Sequence, residues 1–334
     1  MNFSPKIFWI LFIIAFMLNC SRRTNPLGPE APPSTPAEIS WSQTSKPPTH
    51  SIEDLVKDQD GRIFAATDGD GILFSSDNGQ SWDFINTGLP DTIVYSLCVD
   101  SQGNVYAGTA DRGLFLLPAT EQVWTPVALA DSTIWELQTS PAGEIFASST
   151  NHLYKREAGQ LSWQTLNTGL TDRPVIAILF TLENQIMAGT YARGIITSKD
   201  EGLTWEQNII SGISIISLGQ SLSGHILAGT VSQGGFRSDD AGETWMNLEN
   251  GFGSSGYQFV KNSHGILFCA DYYEGVLRSI DHGFSWKKVI NNLTDISVYS
   301  LTFDAGEYLI AGTANGNIFR TTHPTGSNNE SVVP

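Results

Sequence analysis

The sequence predicts an all-β chain, a closed ring of seven four-stranded antiparallel blades, and three observations carry that prediction. Tryptophan recurs at Trp41, Trp82, Trp124, Trp163, Trp205, Trp245 and Trp286, at intervals of 41, 42, 39, 42, 40 and 41 residues. A period near 40 points to a propeller or a solenoid. A second marker recurs in phase: AGT at 107–109, 188–190, 228–230 and 311–313, with weaker copies AAT (65–67), ASS (147–149) and CAD (269–271). No apolar pattern of helical period lasts more than two turns between 51 and 322. Seven copies of a β unit are therefore expected, a seven-bladed β-propeller.

The elements of one copy follow in order. VYSLCVD (94–100) reads as a first strand, SQG as a tight turn, NVYAGT (104–109) as a second strand, ADRG as a turn and LFLL (114–117) as a third. Short runs rich in Val, Ile, Tyr and Phe and punctuated by Gly form β meanders rather than helices. The fourth strand begins at each tryptophan. The seventh copy (298–322) ends without a tryptophan strand, while Trp41 stands one period ahead of Trp82 with no strands before it. Residues 39–44 are therefore expected to supply the missing outer strand of the last blade. A ring closed in this way has no open end to protect.

Upstream of the ring, Lys6 precedes the apolar run IFWILFIIAFML (7–18), which is followed by Asn19 and Cys20. Twelve apolar residues fall short of a bilayer core of about 30 Å but suit the apolar region of an export signal. A cysteine directly after the run resembles a bacterial lipoprotein lipobox, which implies lipidation at Cys20 and a chain anchored in the cell envelope. Residues 1–19 form the signal and 20–38 a Pro-rich tether. The body spans 39–322, and 323–334 form a tail. Beyond residue 19 the formal charge is 17 − 34 = −17, which argues against nucleic acid as a partner. Cys98 and Cys269 lie in apolar strands several repeats apart, so two buried thiols are expected rather than a disulfide, and no metal spacing is present. No cofactor is implied, and a monomer is expected.

Four copies carry a further frame, SSDNGQSW (75–82), SKDEGLTW (198–205), SDDAGETW (238–245) and SIDHGFSW (279–286). The frame S-x-D-x-G-x-[ST]-W is similar to the Asp-box, or BNR, repeat of sialidases, xyloglucan hydrolases, sortilin-type receptors and a photosystem II assembly factor. The resemblance covers residues 39–322 and implies the propeller fold. Its physical reading is a hairpin between third and fourth strands. Asp77, Asp200, Asp240 and Asp281 accept amides, and Gly79, Gly202, Gly242 and Gly283 take positive φ. Trp82, Trp205, Trp245 and Trp286 bury a large apolar face. Every element of the box has a folding reason, so chemistry is expected elsewhere.

The opposite face, carrying the turns between second and third strands and the links between blades, holds the candidate ligand-binding residues. They are Asp111, Arg112, Arg173, Tyr191, Arg193, Phe252, Asp271, Tyr272, Tyr273 and Glu274, with Asp68 and Asp70 nearby. The expectation is a propeller that binds a protein or a glycan without catalysis. The resemblance also implies an alternative, a glycoside hydrolase. A sialidase would need an arginine triad with a Tyr–Glu nucleophile, for which Arg112, Arg173, Arg193, Tyr272 and Glu274 supply the residue types. A xyloglucanase would need two carboxylates across a cleft. A second alternative implied by the resemblance is a scaffold for membrane-complex assembly. No P-loop, zinc signature or G-x-S-x-G is present.

Overall fold

The computed structural model describes residues 38–45, 49–169, 173–207, 210 and 212–326. The signal, Cys20, the tether up to residue 37 and the tail from 327 lie outside the described residues. Strands β1 to β28, numbered in chain order, form seven four-stranded antiparallel sheets, and the described residues contain no helix. The strands next to the axis are β2 (Ile52–Lys57), β6 (Val94–Val99), β10 (Ile134–Thr139), β14 (Val175–Phe180), β18 (Ile215–Gln220), β22 (Gln258–Lys261) and β26 (Val298–Phe303). Each begins a blade that continues outward in sequence order.

The last blade closes as the tryptophan count requires. Its outer strand is β1 (Trp41–Gln43), which pairs with β28 (Ile318–Thr321) through Trp41↔Thr321, Ser42↔Arg320 and Gln43↔Phe319. Trp41 is 2% exposed and joins the apolar cluster between the sixth and seventh blades. Its backbone N–H donates to Asn291 O at 3.0 Å and its indole Nε1 to Val289 O at 2.6 Å. Trp124 does the same to the blade before it, donating to Thr87 O at 2.9 Å and to Ile85 O at 2.6 Å. The first strand of the ring is therefore held like an internal one.

The AGT marker is where neighbouring blades touch. A Cβ at Gly108 would stand 2.6 Å from Ile134 Cγ2, one at Gly189 2.6 Å from Ile215 O, and one at Gly312 2.4 Å from Ile52 Cγ2. The middle residue is small because the inner strand of the next blade lies against it. The following threonines (Thr67, Thr109, Thr190, Thr230) donate their hydroxyls to Gly71, Gly113, Gly194 and Gly234 carbonyls at 2.8–2.9 Å, which closes the turn after the second strand. Side chains on the inner strands satisfy the amides of the neighbouring blade at the axis. Asp54 Oδ2 accepts from Leu97 N at 2.8 Å, Ser96 Oγ from Leu137 N at 3.0 Å and Gln258 Oε1 from Leu301 N at 2.5 Å. A ring of free strand edges would otherwise leave buried donors unpaired. Cys98 and Cys269 are buried and unbridged, as the strand context predicts.

The four box turns share one hydrogen-bond pattern. Asp77 Oδ2 accepts the Ser81 hydroxyl at 2.5 Å and its Oδ1 accepts Ser81 N at 2.9 Å; Asp200, Asp240 and Asp281 repeat both bonds to Thr204, Thr244 and Ser285. The serine opening each frame matters as well, because Ser75 Oγ donates to Asp77 at 2.8 Å and accepts Gly79 N at 2.9 Å. Two successive left-handed residues make the corner, Asn78 (φ 60°) with Gly79 (φ 78°) and, in another copy, Ala241 (φ 57°) with Gly242 (φ 90°). Glycine removes the strain at one of the two positions only. Blades with a box have outer strands of two residues, such as Asp83–Phe84 and Met246–Asn247, whereas Thr125–Ala128 without a box has four.

Candidate functional site

Six of the seven inner strands break register near their start, between Ile52/Asp54, Val94/Ser96, Ile134/Glu136, Val175/Ala177, Ile215/Ser217 and Val298/Ser300. The register of the ladder skips Glu53, Tyr95, Trp135, Ile176, Ile216 and Tyr299 at these bulges; Tyr257, just ahead of Gln258↔Ala270, holds the same place in the sixth blade. A bulge leaves a residue outside the ladder and re-aims its side chain. Here six bulges set six equivalent side chains around the axis on the face opposite the box turns, and Tyr257 makes the seventh position. Fifteen residues after each comes a second equivalent position, at the start of the turn between second and third strands: Asp68, Ala110, Thr150, Tyr191, Val231, Tyr272 and Ala314. The two tiers form a mouth.

Most of the mouth is aromatic or apolar. Tyr95 stacks on Trp135 at 5.3 Å with planes 2° apart, and Trp135 Nε1 donates to Thr150 Oγ1 at 3.3 Å. Ile176 and Val231 pack with Trp135, Tyr191 and Ile216. Tyr257 stacks on Tyr299 at 4.8 Å, Tyr299 on Tyr272 at 5.6 Å, and Tyr272 meets Tyr273 edge-on at 4.9 Å. Such pairs fix large, rigid surfaces around the axis. Below the mouth lies an axial cavity of about 200 Å³ whose lining includes Glu53, Tyr95, Glu136, Tyr257 and Tyr299. Its charged lining residues are Glu53, Asp54 and Glu136, and it has no Lys, Arg or His.

The first blade differs from the other six in placing an acid in both tiers, Glu53 and Asp68. Burial, then the Glu53 charge, push the Asp68 carboxyl up to about 7, with His50 opposing. Asp68 Oδ1 is enclosed with no hydrogen-bond donor among the described residues. The Tyr95 phenol is also pushed up, first by burial and then by Asp68 and Glu53. Glu53 Oε1 accepts the Ser51 hydroxyl at 2.6 Å. The mouth thus has carboxyl groups in the first blade, ring stacks in the blades to either side of it and Ile176 and Ile216 farther round.

The residues predicted for this face divide into three groups. Tyr191, Tyr272 and Tyr273 belong to the mouth or its rim, and Tyr273 is 49% exposed. Arg173 lies over the Tyr191 ring at 5.5 Å, and both line a second hollow of about 220 Å³ with Ser214, Val231 and Gln233. Arg112 and Asp131 are exposed and 4.0 Å apart, Asp111 N donates to Asp91 Oδ2 at 3.0 Å, Arg193 O accepts from Gln207 and Glu274 pairs with Lys288. These four stand on outer turns. Asp271 and Phe252 instead occupy structural places. Asp271 is 0% exposed and substitutes for the threonine of the AGT marker, its Oδ1 accepting Tyr273 N and Glu274 N at 2.8 and 2.9 Å and its Oδ2 Ser255 N at 3.1 Å. Phe252 packs between Phe259 and Trp286. Asp70 ties the chain entering the ring, accepting Thr49 N at 2.7 Å and His50 N at 3.0 Å. Among the described residues no cluster of three His, Cys, Asp or Glu could hold a metal.

Sequence reading missed Glu53, Tyr95, Trp135, Tyr257 and Tyr299; of these Tyr95 lies inside a predicted strand (94–100) and Tyr299 in the predicted seventh copy (298–322). A signal existed in the repeat itself: these positions fall in one column, at spacings of 40 to 42 residues, where the residue changes while its neighbours recur.

With this geometry in hand, known proteins add a measure of kinship. The family described as two component regulator propeller matches residues 88–111. No curated protein matches. Among solved structures, the extracellular domain of a hybrid two component system of B. thetaiotaomicron, BT3049, is 16% identical with a TM-score of 0.71, covering 89% of this chain and 46% of that one. Virginiamycin B lyase from Staphylococcus aureus is 12% identical with a TM-score of 0.70, covering 85% and 99%. YCF48 bound to D1 peptide is 13% identical with a TM-score of 0.67, covering 87% and 96%. These likenesses show the propeller fold. The chain spans less than half of the B. thetaiotaomicron proteins, 39% for BT4673 and 46% for BT3049. A lyase, an extracellular domain and a peptide-bound protein share this ring, so the fold alone does not assign a job.

Proposed function

We propose that this chain is an exported propeller, lipid-anchored through Cys20, that binds a segment of another protein or a glycan on the face opposite the box turns and carries out no catalysis there. The observation that carries the reading is the mouth: one register position in seven blades presents Tyr95, Trp135, Tyr257 and Tyr299 around the axis, with Tyr191, Tyr272 and Tyr273 above them. Rigid aromatic surface with few polar groups suits recognition. Two of the structural likenesses support it at a distance, an extracellular domain and a propeller bound to a peptide. The shared bonding of the four box turns supports kinship with Asp-box propellers, and it uses the box carboxylates for folding.

The test is photo-crosslinking in cells with the reactive group at Tyr273 on the mouth rim or at Gln80 on a box turn. A discrete adduct from Tyr273 and none from Gln80 is expected; adducts from Gln80 alone would move the binding face. Turnover of a sialoside or a β-glucan by the purified chain, lost in Tyr273→Phe, would replace binding by hydrolysis. Palmitate labelling should be present in the wild type and absent in Cys20→Ala.

A further inference from the structure

Resting on that binding reading, we infer that the axial mouth receives an organic cation, the side chain of a lysine or arginine presented by a protein partner. Charge complementarity is the first argument. Glu53, Asp54 and Glu136 line the cavity, Asp68 is near enough to Glu53 to be pushed up by its charge, and the lining contains no basic residue. A carboxyl oxygen enclosed without a donor, as Asp68 Oδ1 is, costs free energy that a guanidinium or ammonium N–H would relieve. The second argument is the two ring stacks that flank the first blade's acids. The stacked pair of Tyr95 and Trp135 and the stack of Tyr257 and Tyr299 offer π faces and edges beside two carboxylates, a setting in which cations are held by ring quadrupoles as well as by charge.

Size and chemistry narrow the occupant. About 200 Å³ admits one long side chain and not a folded element. A divalent metal would ask for several oxygen ligands converging on a point, whereas no group of three ligating side chains occurs among the described residues. The rim adds apolar surface for the residues flanking the inserted one, with Tyr273 at 49% and Ile296 at 41% exposure. Ile296 lies beside the Tyr273 turn, 3.6 Å from where a Cβ on Gly275 would sit. A free amine would leave that rim unused, which favours a peptide. The net charge of −16 would draw a basic segment toward the ring and make its capture salt-sensitive.

The experiment is calorimetric titration of the purified full-length mature chain with acetyl-Gly-Lys-Gly-amide, its arginine counterpart and its norleucine counterpart, with choline as a free cation. The lysine or arginine peptide should bind at least tenfold more tightly than norleucine and more tightly than choline, and should weaken as salt is raised. The double variant Glu53→Gln/Asp68→Asn, which keeps side-chain shape and removes repulsion, should lose at least tenfold. Trp135→Leu should weaken binding with both carboxylates in place. Equal affinity for lysine and norleucine peptides, an unaffected double variant, tighter binding of choline, or no binding by any cation would overturn the inference. In each of those cases a Tyr273 adduct in cells would leave the broader binding reading intact, and loss of that adduct would remove both.

Discussion

The box turns and the axial mouth are built on the same repeat and treat it in opposite ways. In the turns, four copies place the same atoms at the same distances, down to a 2.5 Å hydroxyl–carboxylate bond in each. In the mouth, seven copies hold the same backbone position and fill it with Glu, Tyr, Trp, Ile, Ile, Tyr and Tyr. Repetition of chemistry marks what every blade needs in order to fold. Repetition of place with changing chemistry marks a position that no single blade needs in order to fold and that all seven bring to the axis.

The largest test of this contrast falls on closure, which belongs wholly to the scaffold. Trp41→Ala should cost about 3–5 kcal/mol, the range for a buried aromatic truncated in a packed core, and lower the melting temperature on the order of 10 °C. Calorimetry showing no change would mean that β1 does not hold the ring. Next, Asp240→Ala removes the acceptor for the Thr244 amide and for the Thr244 and Ser238 hydroxyls and should cost about 1–2 kcal/mol, as helix-capping losses do. Pairing it with Asp77→Ala, in a blade that is not a neighbour, should give an additive loss; strong coupling in a double-mutant cycle would show that the boxes are not independent corners.

pH separates the two regions by sign. Asp68 holds a proton in the folded chain up to about 7 that the unfolded chain has already lost above its ordinary value of 3.8. Stability therefore falls as pH rises from about 4 to about 7 through this group, and Asp68→Asn should gain on the wild type between pH 5 and pH 8 in urea melts. The box aspartates run the other way. Asp200 and Asp240 lie below the usual carboxylate range because the Thr204 and Thr244 hydroxyls and amides donate to them. For Asp77 and Asp281 burial pulls upward and the bonds from Ser81 and Ser285 prevail. Their contribution is present above about pH 4 and is lost as pH falls below it. The smallest expected stability effect is Tyr273→Ala, within about 0.5 kcal/mol, combined with weakened capture of a partner; a large loss of stability instead would make the rim part of the scaffold.

The fold was legible because its signals are local and repeated. Trp41 could be assigned to the last blade from spacing alone, and the pairing Trp41↔Thr321 follows. The site was legible only in part. Asp271 and Phe252 were read as face residues from their place in turns and loops, yet Asp271 substitutes for a turn threonine and Phe252 fills a gap between two rings. A carboxylate that caps amides and one that waits for a ligand look alike in a sequence. Tyr95 and Trp135 were passed over for the converse reason, since in an alternating strand they read as ordinary core residues.

By itself, then, the sequence determined the number of blades, the closing strand and the corner chemistry, because each depends on contacts within one repeat or on a simple count of periods. Only the tertiary structure decided that the starts of the inner strands, bulged in six of the seven blades, turn seven distant residues toward one axis. Glu53 and Tyr299 line one cavity because ring closure, which no local pattern encodes, brings the first and last blades side by side.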